Sequence, residues 1–255
     1  MLTGIDHLVI VVPDLETAIR SYTQLGFTVV PGGEHPTGTH NALVGFQDGA
    51  YLELIAFREP RPEHRWYPAL QAGGGLVDYC MATDNLLDDI EAFRAAGVPM
   101  SDPSPLGRTR PDGYRLDWVS SMPPTAPGIF PFIIEDKTPR SERVPKQTAH
   151  ANGVTGIKSL TIGTASDDAL APIAGALRAH GSPIIREDLG AAGWGFTIGS
   201  HRLNYLAPFE PAGALHDWIA VGGRGLHSAK LISTAQTGDL DLALALNARF
   251  TLEGE

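Results

Sequence analysis

Two ionisable residues interrupt apolar, strand-like runs early in the chain: His7 in IDHLVIVV and Glu53 in AYLELIAF. A carboxylate inside an apolar strand is costly unless it is paired, protonated or metal-bound. Glu53 therefore needs a partner, and His7 is the obvious one. Two chemistries stay open for the pair. Either they help hold a divalent metal, or they form a hydrogen-bonded pair that fills the same space without one. Between them lies a loop over residues 32–41 with three glycines, where backbone N–H groups can approach a ligand closely. Its His35, Thr39 and Asn41 supply donors and acceptors for a small polar molecule, although an ordinary turn with exposed histidines is the competing reading. No helix-forming GK[ST] follows, so the loop is not a phosphate cradle. Further on, Arg108 and Arg110 precede a Pro111-Asp112-Gly113 turn, with Arg115 beyond it. Arginines there suit a carboxylate ligand held bidentately; surface ion pairing is the alternative for each. Trp118, on the next strand, serves as core, as a wall of the site, or as both. Cys80 reads as buried packing. There is no nucleophile elbow and no dinucleotide fingerprint.

The elements that must position these residues are short. The chain has 255 residues, 43% of them apolar, with 29 glycines and 20 prolines. That combination implies many punctuated elements rather than a few long helices. A net charge of −10, from 19 basic and 29 acidic residues, argues against nucleic acid as the main partner. One cysteine excludes an internal disulfide framework and a Cys-rich zinc site. No apolar run reaches the roughly 18 residues of a membrane span. The N-terminus lacks the features of a signal peptide, so a cytoplasmic protein is expected.

A repeat organises the chain. Residues 5–12 read as a strand, Asp14 as a helix N-cap, Leu15, Ala18, Ile19, Tyr22 and Leu25 as one helix face, and Gly26 as its stop. A strand at 27–30 and a hairpin of 41–46 with 50–57 complete the unit. The pattern returns 71 residues later: a strand at 76–83, a cap at Asp84, a helix through Leu86, Ile90 and Phe93, a stop at Gly97, and strands near 115–120 and 129–135. A third unit has a strand at 157–164, a helix at 167–180 stopped by Gly181, and a hairpin of 194–198 with 202–206. A fourth begins with a strand near 226–234 and a helix near 240–248, and the chain ends before it is complete. Linkers are expected at 58–75 and 136–153.

A βαβββ unit with the words IDHLVIVVPDL, GGEHPTGTHNALVGF, DGAYLELIAF, GRTRPDGYRLDW and PFIIEDKTPR resembles the vicinal oxygen chelate superfamily, in its glyoxalase-like branch. The resemblance implies an α+β fold in which repeated βαβββ units pair into curved mixed sheets. Residues 1–145 would hold the paired units, 1–58 and 75–136, around a cup, and 150–255 the third unit with the truncated fourth. It also implies one metal ligand from the first strand and one from the last strand of each unit. His7 and Glu53 match in unit one. In unit two the first place falls on Asp78 and the last on Phe132, with Glu135 three residues later. The implied site is thus a divalent metal (Mn, Fe, Zn or Ni) on His7, Glu53 and Asp78, with Glu53 or Glu135 as catalytic acid or base. A ligand set of one His and two carboxylates suits a harder ion such as Mn²⁺ or Fe²⁺. His35, Thr39, Asn41, Arg108, Arg110 and Trp118 would bind the substrate. Three functions follow: a metal-dependent lyase, isomerase or dioxygenase acting on a small anionic molecule; a metal-free protein that sequesters one; or an interaction role for the third unit, which needs a partner in the fourth or across a homodimer.

Overall fold

The structure, a computed structural model, describes residues 1–165, 170–209 and 211–255. Unit one is β1 (Leu2–Val11), α1 (Leu15–Gln24), β2 (Val30–Glu34), β3 (Thr39–Gly45) and β4 (Tyr51–Phe57). A short α2 (Tyr67–Gln71) leads to unit two: β5 (Gly75–Thr83), α3 (Leu86–Ala95), β6 (Ser104–Thr109), β7 (Arg115–Ser121) and β8 (Phe132–Asp136), then α4 (Arg140–Arg143). Unit three is β9 (Val154–Gly163), α5 (Leu170–Leu177), β10 (Gly181–Arg186), β11 (Ala191–Ile198) and β12 (His201–Pro208). After α6 (Ala214–Ala220) come β13 (Gly225–Ser233), β14 (Gly238–Asp239) and β15 (Phe250–Glu253).

Units one and two close into a barrel in the order β1-β4-β3-β2-β6-β7-β8-β5. The closure is uneven. β1 and β5 pair antiparallel from Leu2↔Thr83 to Val11↔Gly75, whereas β2 and β6 meet at the single pair Glu34↔Thr109. The remaining strands form a seven-stranded sheet, β10-β11-β12-β9-β13-β15-β14. The third unit therefore finds its partner within the chain: β13 lies antiparallel on β9 as β5 does on β1.

Strand alternation sorts the side chains. Leu8, Ile10, Leu52, Leu54 and Met81 point out of the barrel and share one core with Leu160, Ile162, Phe196, Leu203 and Leu231 of the second sheet. Each such buried chain contributes roughly 1.5–3 kcal/mol. Tyr79 and Tyr205 bridge the two sheets, their hydroxyls 2.5 Å apart. The opposite faces, with Val9, Val11, Ile55, Cys80, Trp118 and Phe132, line the barrel interior.

The helices start and stop as their residue types direct, with corrections. The Asp14 side chain caps α1 through Thr17 N, and Gly26 follows its end at φ +88°. In α3 the cap is Asn85, not Asp84, whose carboxylate instead meets the chain's terminal ammonium. α5 ends at Leu177 with Arg178 in the left-handed region, so Gly181 begins β10 rather than stopping the helix. The expected start of that helix, residues 167–169, lies outside the described residues. The expected helix at 240–248 is a run of turns. Asp241 holds the first through Leu244 N and Ala245 N, and Leu246 and Asn247 at positive φ end it. The loop at 32–41 is largely strand, its ends being β2 and β3. Both expected linkers contain a helix, α2 in one and α4 in the other.

Candidate functional site

β1 and β4 run parallel with His7 opposite Tyr51 and Val9 opposite Glu53, which turns His7 and Glu53 into the barrel. A bulge in β1 skips Asp6, between Ile5↔Met81 and His7↔Cys80. Bulges re-aim side chains, and here Asp6 Oδ1 lies 2.6 Å from His7 Nδ1. Asp6 is wholly buried. Arg143 of α4 forks onto it, with Nη1 to Oδ1 at 2.8 Å and Nη2 to Oδ2 at 2.7 Å, and Arg140 adds a second guanidinium. Burial pushes the Asp6 carboxyl up, but Arg143 and His7 more than reverse this and hold it well below the usual carboxylate range. Arg143 also donates to Tyr51 Oη at 2.8 Å and to Asp136. The Tyr51 ring stacks on His7 at 4.7 Å, and Phe132 meets it edge-on at 5.4 Å.

Glu53 faces this group. Its Oε2 lies 3.5 Å from His7 Nε2 and its Oε1 3.8 Å from His35 Nε2. Asn41 Nδ2 donates to Oε1 at 2.5 Å. Burial raises the Glu53 carboxyl; His7, His35, Asn41 and Arg108 together bring it below its ordinary value. His35 Nδ1 contacts Thr39 Oγ1 at 3.0 Å, and burial pushes the imidazole down to about 4, so it is neutral near pH 7. Arg108 closes the group, with Nη1 donating to Asn41 Oδ1 at 3.4 Å and Nη2 to Arg143 O at 3.0 Å. The glycine at 32 is required here: a Cβ would stand 2.0 Å from Asn41 Oδ1 and 2.9 Å from Arg108 Nη1.

These groups open on a cup of about 100 Å³. Its apolar wall is made by Ile55, Trp66, Leu106, Trp118, Phe132 and Ile134. The structure thus brings together His7, Glu53, His35, Thr39, Asn41, Arg108 and Trp118 of the residues singled out in the sequence. Three do not join them. Asp78 is spent elsewhere: its carboxylate accepts from Trp66 Nε1 at 2.9 Å and Gly128 N at 3.0 Å, and pairs with Arg65 at 3.1 Å. Glu135 points outward, accepting from Leu86 N at the start of α3 and pairing with Lys137. Arg110 is committed to Asp112 and Glu142 and lies over the Tyr114 ring, outside the cup lining.

Sequence reasoning passed over Asp6 and Arg143. The signal for a partner was there, because a carboxylate at position 6 inside a buried strand demands a cation. Which of the 19 basic residues supplies it depends on α4 folding back over the barrel.

A metal on His7, Glu53 and Asp78 does not fit, since Asp78 is occupied and the equivalent of Glu53 on β8 is the apolar Phe132. Asp6, His7 and Cys80 do offer donor atoms within 4.8 Å of one another. The chemistry of that trio is wrong for a cation. Asp6 is already ion-paired with two guanidiniums, and burial pushes the Cys80 thiol well above its ordinary value, away from the thiolate that binds metal.

Among solved structures, a hypothetical protein from Staphylococcus aureus is similar over 98% of this chain and 99% of its own, at 13% identity and a TM-score of 0.70. A mutant 4-hydroxymandelate synthase from Streptomyces coelicolor is similar over 91% of this chain and 71% of its own, at 11% identity and a TM-score of 0.60. At such identities the likeness is one of fold. No curated protein matches the sequence. The family model described as "Glyoxalase-like domain" matches residues 5–177, and with the fold of the barrel this bears out the resemblance read from the strand motifs: the chain belongs to the glyoxalase-like domain family.

Proposed function

We propose that the cup binds a small organic anion and that Glu53 and His7 move a proton on it without a resident metal. The observation that carries this reading is Arg108. It is 3% exposed on the cup wall, and among the described residues no carboxylate forms an ion pair with it. A buried cation without a partner is costly, and a ligand carboxylate would give it a bidentate one. Asn41 stands between Arg108 and Glu53, accepting from one and donating to the other, which keeps Glu53 from taking that place.

The proton chemistry follows from the hydrogen bonds. Asp6, kept ionised by its arginines, accepts from His7 Nδ1–H and so fixes the tautomer that leaves Nε2 toward Glu53. Glu53 is ionised and faces the ligand space. It takes a proton from the bound molecule and exchanges it with His7 across their 3.5 Å contact. The rings of Tyr51 and Phe132 hold His7 in place and keep water from it.

The test is calorimetric titration in chelator with butanoate and hexanoate against the corresponding amides. Carboxylates bind and amides do not. Arg108→Gln lowers carboxylate affinity by about tenfold or more, consistent with the loss of a charge-assisted pair. Equal binding of acid and amide, or an unchanged Arg108→Gln variant, sinks the reading.

One observation favours a second reading. Both His7 and His35 turn Nε2 toward Glu53 while Nδ1 is held, by Asp6 and by Thr39. Outer partners hold metal-bound histidines in the same way. His7, His35 and Glu53 would then hold a divalent ion that supplies Lewis acidity to a bound oxygen. A stoichiometric metal in the dialysed protein that is lost in His35→Ala would favour this reading over the first.

A further inference from the structure

Ser120 lies on β7, opposite Ser104 on one side and Ile134 on the other, and lines the cup. It is 2% exposed, and among the described residues its hydroxyl has no hydrogen-bond partner. Its neighbour shows that this is not a general condition of the strand: Ser121, turned to the other face, donates to Ser101 O at 2.7 Å. A buried hydroxyl left unsatisfied destabilises the fold, and alanine in its place would not. Among the described residues Arg108 Nε is a second orphaned donor on the cup wall. Arg108 stands opposite Leu116, four residues from Ser120, or about 13 Å of strand at roughly 3.3 Å per residue. Between the two donors the wall is apolar, formed by the cross-strand pair Leu106 and Trp118.

We infer that Ser120 is a specificity residue and that the ligand has two polar ends: a carboxylate for Arg108, an apolar middle against Leu106 and Trp118, and a terminal hydroxyl or carbonyl oxygen for Ser120. This rests on Arg108 as the anion clamp, and it adds the far end of the molecule, which that reading leaves open. Ser120 takes no part in the hydrogen bonds and ion pairs that set Glu53 and His7, so its contribution is to affinity and length selection rather than to proton transfer.

The experiment is calorimetric titration, in chelator, of butanoate, pentanoate and hexanoate, each against its terminally hydroxylated form. At one chain length the hydroxyl strengthens binding by about five- to tenfold, the worth of one net hydrogen bond. Ser120→Ala abolishes that gain and leaves the unsubstituted acids unchanged. Its melting temperature rises by about 2–4 °C, since the orphaned hydroxyl is gone. Ser120→Cys, of similar shape but a weak donor, gives an intermediate gain and guards against misfolding of the alanine variant. A hydroxyl gain absent at every length, or one that survives Ser120→Ala, overturns the inference while leaving Arg108 as the clamp. If no acid binds at all, both fall together.

Discussion

The barrel and the seven-stranded sheet repeat the same strand irregularities and put them to different ends. β1 on β5 shows register shifts at Leu2/Gly4, Ile5/His7 and Val9/Ile10. β9 on β13 shows three at the matching places, skipping Lys158 where β1 skips Asp6. The parallel neighbours match too: His7↔Tyr51 and Val9↔Glu53 become Ser159↔Arg202 and Thr161↔Asn204. In the barrel the bulged residue is an acid, sunk among Arg143, Arg140 and His7. In the sheet it is Lys158, half exposed, which shares Glu253 with Lys230. The backbone device is thus separable from the chemistry. It presents two neighbouring side chains to one place, and the covering element decides what they do. α4 seals Asp6 from water. Among the described residues the sheet stays open, and Ser159 and Asn204 stand where the barrel has His7 and Glu53.

Breaking the two ion-pair clusters tests this contrast directly. Arg143→Ala leaves Asp6 buried with one partly exposed guanidinium, and removing one member of a buried pair costs about 3–5 kcal/mol. Glu253→Gln, in a cluster about a third exposed, costs at most about 1 kcal/mol. Urea unfolding of both variants checks the ordering, and equal costs would mean that α4 does not seal the site.

The next effect is on pH dependence and belongs to the open sheet. His227 packs edge-on against Trp218 at 4.9 Å, and burial, then Arg249 and Arg186, push its imidazole from 6.5 down to about 4. As pH falls the unfolded chain takes up this proton first. The stability it allows is therefore full above about pH 6.5 and is lost between there and pH 4, by about 1–3 kcal/mol. Comparing urea midpoints at pH 7 and 5 for the parent and His227→Gln isolates it: the variant should lose less on acidification.

The smallest effect is at the join. Tyr205→Phe removes the hydroxyl that meets Tyr79 between the sheets, while Tyr79 keeps Ile129 O at 3.2 Å. One hydrogen bond with its partner still satisfied is worth about 1 kcal/mol. A single cooperative unfolding transition should persist, and splitting into two transitions would show that the shared core does not couple the sheets.

Much of this was legible early. The alternation around His7 and Glu53, the glycine stops at 26 and 97, and the Asp14 cap are local signals, and local signals survive without the fold. The strands β6 and β10 were not legible: each carries a proline near its start, Pro105 and Pro183, which weakens a strand signal. Leu106 of the cup's apolar wall lies on β6 and carries no signal of its own. Asp78 looked equivalent to His7 by spacing, and on the backbone it is, but Trp66 and Arg65 come from a segment read as linker.

The sequence by itself determined the repeat, the faces of the strands and the need of Glu53 for company, because burial and periodicity are written residue by residue. Only the tertiary structure decided which charges meet. Asp6 and Arg143 are 137 residues apart, and Arg108 reaches Asn41 across 67. The strength of a buried charge depends on what surrounds it in space, which periodicity along the chain does not encode. The same holds for Ser120, whose hydroxyl is one of many in the sequence and is marked out only by the cup it faces.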